Sequence, residues 1–148
     1  MPLRARLAEL WQRLRDPSGS AERPPALRLF IAPLAPWPSW HPAKGPGGEP
    51  MMQVAIELEA SNRTDEDIRI VAARLRDHPA VQTGFTVGPR GGPFAKDTPV
   101  LPHSRAHLVL MFFVMGRYYA PGQVFTDIVI LRDQAGRDHR LKVGVRGR

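Results

Sequence analysis

The chain has 148 residues, a formal net charge of +7 at pH 7, 43% hydrophobic residues and no cysteine. That length suits one domain with a short appendage, and the apolar fraction is enough for a packed core, which argues against wholesale disorder. The lack of cysteine removes disulfides, thiolate metal sites and a cysteine nucleophile, and leaves the compartment open. Only three of the 21 basic residues are lysine. The arginine excess fits the coding bias of a GC-rich genome; the alternative is an electrostatic footprint for nucleic acid or anionic lipid.

In "MPLRARLAELWQRLRDP", Leu3, Leu7, Leu10, Trp11 and Leu14 recur at helical spacing and form one apolar stripe. Pro2 suits a first helical turn and Asp16-Pro17 ends the pattern, so residues 1–16 are expected to form an amphipathic helix. Arg4, Arg13 and Arg15 fill its polar side. The segment has no uninterrupted apolar core of a signal peptide, and no stretch approaches the ~18 apolar residues of a membrane span, so cytoplasmic residence is the expectation. Leu7, Trp11 and Leu14 are the anchors by which this helix docks, on its own domain or a partner; a basic amphipathic helix also suits peripheral association with an anionic membrane.

Residues 17–50 hold most of the prolines in the first third of the chain and read as a connector. A short strand is expected around Leu27 to Ile31. The proline density from Pro33 to Pro50 argues for extended, partly polyproline-like chain and against a central strand. Trp37 and Trp40 lie in this stretch and are costly to leave in water.

From Met51 to the end, residues 51–148, the signals are strands and turns. "QVAIELEA" alternates, with Val54, Ile56, Leu58 and Ala60 on one face and Gln53, Glu57 and Glu59 on the other. "IRIVAARLR" changes phase between Ala72 and Ala73, which suggests a bulge. "VQTGFTV" is a weak strand, "GPRGGPF" a loop. "LVLMFFVM" is apolar at every position, and "VFTDIVILRD" is joined through "DQAGRD" to "HRLKVGVR" as a hairpin. In the last strand Leu141, Val143 and Val145 face inward, with Arg140, Lys142 and Arg146 facing water.

Short strands with turns between them and no intervening helix indicate an all-β sandwich or barrel. The pattern "IELEASNRTDEDIRI", then "LPHSRAHLVL", then "APGQVFTDIVI" resembles bacterial immunoglobulin-like and fibronectin-III-like domains. The resemblance is architectural and covers about two-thirds of the chain. It implies an immunoglobulin-like antiparallel β-sandwich behind the amphipathic helix and leaves function open.

The apolar run carries the functional expectation. If Leu108, Leu110, Phe112 and Val114 fill the core, Val109, Met111, Phe113 and Met115 point outward and need a cover. The following strand is similarly oily, so Phe125 and Val129 are expected to extend the same patch, and exposed patches of this kind mark interfaces. The leading reading is a non-enzymatic interaction or assembly module for a protein partner or a second copy. The alternative is a basic module that binds nucleic acid or anionic membranes through Arg4, Arg13, Arg137, Arg140, Lys142 and Arg146.

Catalytic, metal and cofactor motifs are weak. His103 and His107 are four apart at the mouth of a strand, which sets them roughly 13 Å apart, too far for one ion. Glu57 and Glu59 mimic a carboxylate pair but read more simply as the wet side of a strand. "NRT", Asn62 to Thr64, reads as turn chemistry rather than a glycosylation acceptor. Arg90 in the glycine-rich loop is the position to test for an anion nest. No catalytic residue, metal or cofactor is assigned.

Overall fold

The computed structural model describes residues 25–88, 98–116 and 119–148. The expected N-terminal helix, with Arg4, Leu7, Trp11, Arg13 and Leu14, and the loop carrying Arg90 lie outside the described residues. Within them the chain is all-β: β1 (Leu27–Ile31), β2 (Ser39–Lys44), β3 (Pro50–Asn62), β4 (Ile70–Leu75), β5 (Ala80–Gly88), β6 (Arg105–Met115), β7 (Val124–Asp133) and β8 (Asp138–Gly147).

The strands form one sheet in the order β4-β7-β8-β2-β3-β6-β5, with β1 pairing β3 beside β2. The end strands β4 and β5 approach each other, so the sheet nearly closes, like a barrel. The 13-residue β3 organises it: one edge runs along β6 from Met51 to Ser61, and the other is shared by β2 and β1 in succession. Val54, Ile56, Leu58 and Ala60 are all fully buried, as the alternation in this strand predicts. Burying each large aliphatic side chain contributes about 1.5–3 kcal/mol. Opposite them Leu108, Leu110, Phe112 and Val114 of β6 are likewise sealed. The β4 ladder shifts register between Ile70 and Ala72, just before the phase change between Ala72 and Ala73 that suggested a bulge. The β7–β8 hairpin turns at Gly136, whose φ of 79° is a conformation open to glycine.

Three expectations are corrected. Residues 39–44 form a strand between β3 and β8, although Pro42 lies within it. The parallel pairing to β8 stops at Trp40, so Pro42 sits where one edge of β2 has no ladder to interrupt. Among the described residues the β structure begins with β1, the short strand expected at Leu27–Ile31, and continues with β2, which the proline density argued against. Second, β6 and β7 are not neighbours: β8, β2 and β3 separate them, so the two oily strands do not make one patch. Third, Phe125 and Val129 are 4% and 0% exposed and belong to the core.

Trp40 shows why β2 is held centrally. It is completely buried, its indole Nε1 donates to the Gln123 carbonyl at 3.2 Å, and its backbone carbonyl accepts from Arg148 at 2.9 Å. Its ring lies so close to Gly147 that a Cβ there would meet Cζ2 at 2.7 Å. Trp37, three residues earlier, is 78% exposed.

Candidate functional site

Cross-strand register arranges the outward residues of β1, β3, β6 and β5 in bands. Phe113 lies between Gln53 and Gln82, Met111 between Ala55 and Gly84, and Val109 between Glu57 and Thr86. The next rung holds Phe30, Glu59 and His107, and the one beyond it Arg28, Ser61 and Arg105. One sheet face thus runs from an apolar band through an acidic band to an arginine band.

In the apolar band Val109, Met111 and Phe113 are half-buried and Met115 is 40% exposed. Small or polar neighbours, Ala55, Gly84 and Thr86, leave the larger side chains standing above the sheet. Gln53 donates from Nε2 to the Met111 sulfur at 2.8 Å, fixing the thioether against β3.

In the acidic band a cavity of about 140 Å³ opens between β3, β6 and residues 32–36, and is lined by Glu57, Glu59, His107, Pro33 and Leu34 among others. The Ala32 amide donates to the Glu57 carbonyl at 3.3 Å, and the Ala35 amide to the Ala32 carbonyl at 3.1 Å, so this segment turns back over the sheet. His107 Nε2 is 3.1 Å from Glu57 Oε2. Glu59 is only 5% exposed, and its Oε2 has no hydrogen-bond partner among the described residues.

The arginine band opens on a second, wider concavity of about 440 Å³, lined by Arg28, Phe30, Ser61, Arg63 and Arg105. The Arg105 guanidinium lies over the Phe30 ring, 5.2 Å from its centroid. Among the described residues no carboxylate lines this concavity. These three arginines are far apart in sequence, and only the β1–β3–β6 register brings them together.

The basic residues singled out from the sequence are arranged differently. Arg137 is drawn into the β7–β8 turn, its Nε donating to Asp133 at 2.8 Å. Arg140, Lys142 and Arg146 stand exposed along β8, with Arg140 3.9 Å from Asp138. Burial disfavours the Asp133 anion. His139, the Arg137 and Ala135 backbone amides and the Arg137 side chain outweigh that penalty and hold Asp133 below the usual carboxylate range. Asp138 is likewise lowered, chiefly by its hydrogen bond from Arg132.

Two polar clusters tie separate segments of the chain together. The Asp127 carboxylate is fully buried and accepts from the Asp77 amide at 3.0 Å and from the ring of His78 at 2.5 Å. His78 Nε2 lies 3.0 Å from the Tyr119 hydroxyl, and Phe125 stacks on the Tyr119 ring while lying tilted against His78, 4.4 Å between centroids. This ties the chain leaving β4 to β7. Asn62, the first residue of "NRT", is buried, and its amide donates to the Glu66 and Val100 carbonyls while its oxygen accepts from Thr64. This is the turn chemistry expected of it. His103 pairs with Asp65 and His107 with Glu57, so the two histidines serve different partners. Among the described residues no three His, Asp or Glu side chains are grouped to hold a metal ion, and no helix is long and apolar enough to cross a membrane.

Compared with models of known families and with curated proteins, the chain matches none.

Proposed function

We propose that the chain is a non-enzymatic assembly module, an immunoglobulin-like sandwich that takes a second copy of itself on the outer face of β3, β6 and β5. The strand pairings support the sandwich. β1-β3-β6-β5 and β4-β7-β8 correspond to the two sheets of a constant-type immunoglobulin domain in strand order, with β2 bridging β3 and β8. The amphipathic helix of residues 1–16 belongs to the same reading, with Leu7, Trp11 and Leu14 as docking anchors.

The observation that carries the assembly reading is the banding of one face. A two-fold axis between the acidic and arginine bands sets each copy's Arg105 toward the other's Glu57, the self-complementarity that an isologous interface requires. Val109, Met111 and Phe113 then supply apolar surface beside the charged contacts. Light scattering across a concentration series tests it. The expected mass is twice the 16.5 kDa of one chain. Phe113→Asp and Arg105→Glu should each return it to one chain. A single-chain mass for the wild type at every concentration overturns the reading.

A second reading is favoured by the concavity of Arg28, Arg63 and Arg105, whose described lining holds three guanidinium groups and no carboxylate. It is an anion site for phosphate groups of nucleic acid or lipid. Retention on a phosphate-bearing matrix that falls steeply with salt, and falls further in Arg28→Ala/Arg105→Ala, supports it. Salt-insensitive retention removes it.

A further inference from the structure

We propose that the cavity beneath residues 32–36 is a binding site for a small organic cation, an alkylammonium or alkylguanidinium group, with Glu59 as its counter-charge. This goes beyond the assembly reading and does not depend on it.

The argument starts from position. Glu59 occupies the polar phase of β3, where alternation sends a side chain to water, yet it is withdrawn from water. Its neighbours across the strands are Phe30 and His107, and the segment after β1 folds over them. A buried acceptor without a partner costs about 1–3 kcal/mol, more for a charged group. Chains tolerate such groups rarely, and a guest that supplies the missing donor is one reason to keep one.

The chain has cations within one rung and does not spend them here. Arg105 lies over Phe30, and Arg28 lines the neighbouring concavity. His107 faces Glu57. Glu59, with one carboxylate oxygen unpartnered, therefore lines a cavity whose other polar walls are a second carboxylate and an imidazole. The remaining walls, Ala32, Pro33, Leu34, Ala35 and Pro36, carry apolar side chains. Two carboxylates beside an aliphatic wall suit a cationic head on a short alkyl stem. The space, a few water molecules' worth, admits a head and a short stem but not a larger ligand. The oxygen donors are not gathered as a metal ion requires.

Such a group has two sources, a free amine or the end of a lysine or arginine side chain on a polypeptide. A titration of the full chain followed by amide NMR separates them, using n-butylammonium chloride, ethylguanidinium chloride and the capped peptide Gly-Gly-Lys-Gly-Gly, with sodium chloride at matched ionic strength. The expected result is a saturable shift confined to Ala32, Leu34, Ala35, Glu57, Glu59 and His107. Tighter binding of the peptide assigns the source to a polypeptide, and equal or weaker binding to a free amine. Glu59→Gln, which keeps the side-chain shape, should weaken n-butylammonium by at least about tenfold. In the wild type the neutral isostere n-butanol should not saturate these shifts, which keeps the test decisive if the variant fails to fold. Shifts reproduced by sodium chloride, equal binding of n-butanol, or wild-type affinity in Glu59→Gln overturns the proposal.

Discussion

Replacing Glu59 by methionine should stabilise the protein while removing the cation site. Methionine is similar in length and keeps the stem packed against Phe30 and the segment of residues 32–36, and its terminal methyl takes the place of the unpartnered oxygen. The term removed is the desolvation of an unsatisfied buried acceptor, about 1–3 kcal/mol. For a chain of this length each kcal/mol moves the unfolding midpoint by about 2–4 °C, so the expected rise is about 2–12 °C. Thermal unfolding followed by circular dichroism at neutral pH, wild type against Glu59→Met, measures it. An unchanged or lower midpoint refutes the reasoning, because Glu59 is then already satisfied in the free protein and the cavity has no unmet demand for a cation. A gain in stability with loss of binding would place Glu59 among residues kept at a stability cost for what they bind.

Gly147→Ala should destabilise by about 1–3 kcal/mol through overpacking, because its Cβ would meet the buried Trp40 ring at 2.7 and 2.8 Å and the Gly122 nitrogen at 2.9 Å. A midpoint in chemical denaturation equal to wild type contradicts it. Asp127→Ala should cost about 3 kcal/mol or more, because it strands the Asp77 amide and the His78 ring in a buried site; a loss below about 1 kcal/mol would mean that the cluster is not a cross-tie. Asp133 is held below the ordinary carboxylate range, so its contribution is full above the unfolded value near ~3.9 and is lost as pH falls through the depressed folded value. The stability gap between wild type and Asp133→Asn should therefore be constant from neutral pH to about 5 and shrink below about 4 in urea titrations. A gap that widens on acidification gets the sign wrong.

What was legible in the sequence follows from which forces act locally. Alternation in "QVAIELEA" and the phase slip in "IRIVAARLR" are set by one strand's own two faces, and both survive in the structure. The dual character of "LVLMFFVM" was readable as well, with one set of side chains sealed and the other half-exposed. The parity of "VFTDIVILRD" was not. Its inward set is Phe125, Asp127, Val129, Leu131 and Asp133, and hydrophobicity alone would not send two aspartates inside. They are affordable there only because distant groups, the Asp77 amide and His78 for one and His139 with turn amides for the other, satisfy them. Glu59 fails for the complementary reason. Nothing in its own strand marks it as buried, since its cover comes from residues 32–36, a proline-bearing stretch that read as connector. The arginine concavity is likewise a product of register, joining Arg28, Arg63 and Arg105 across three strands. The misreadings of Asp127, Asp133, Glu59 and the arginine concavity therefore share a cause. They fall where polar side chains are buried or gathered by pairing between distant strands, and in this molecule those places, rather than the apolar run alone, give the sheet face its chemical character.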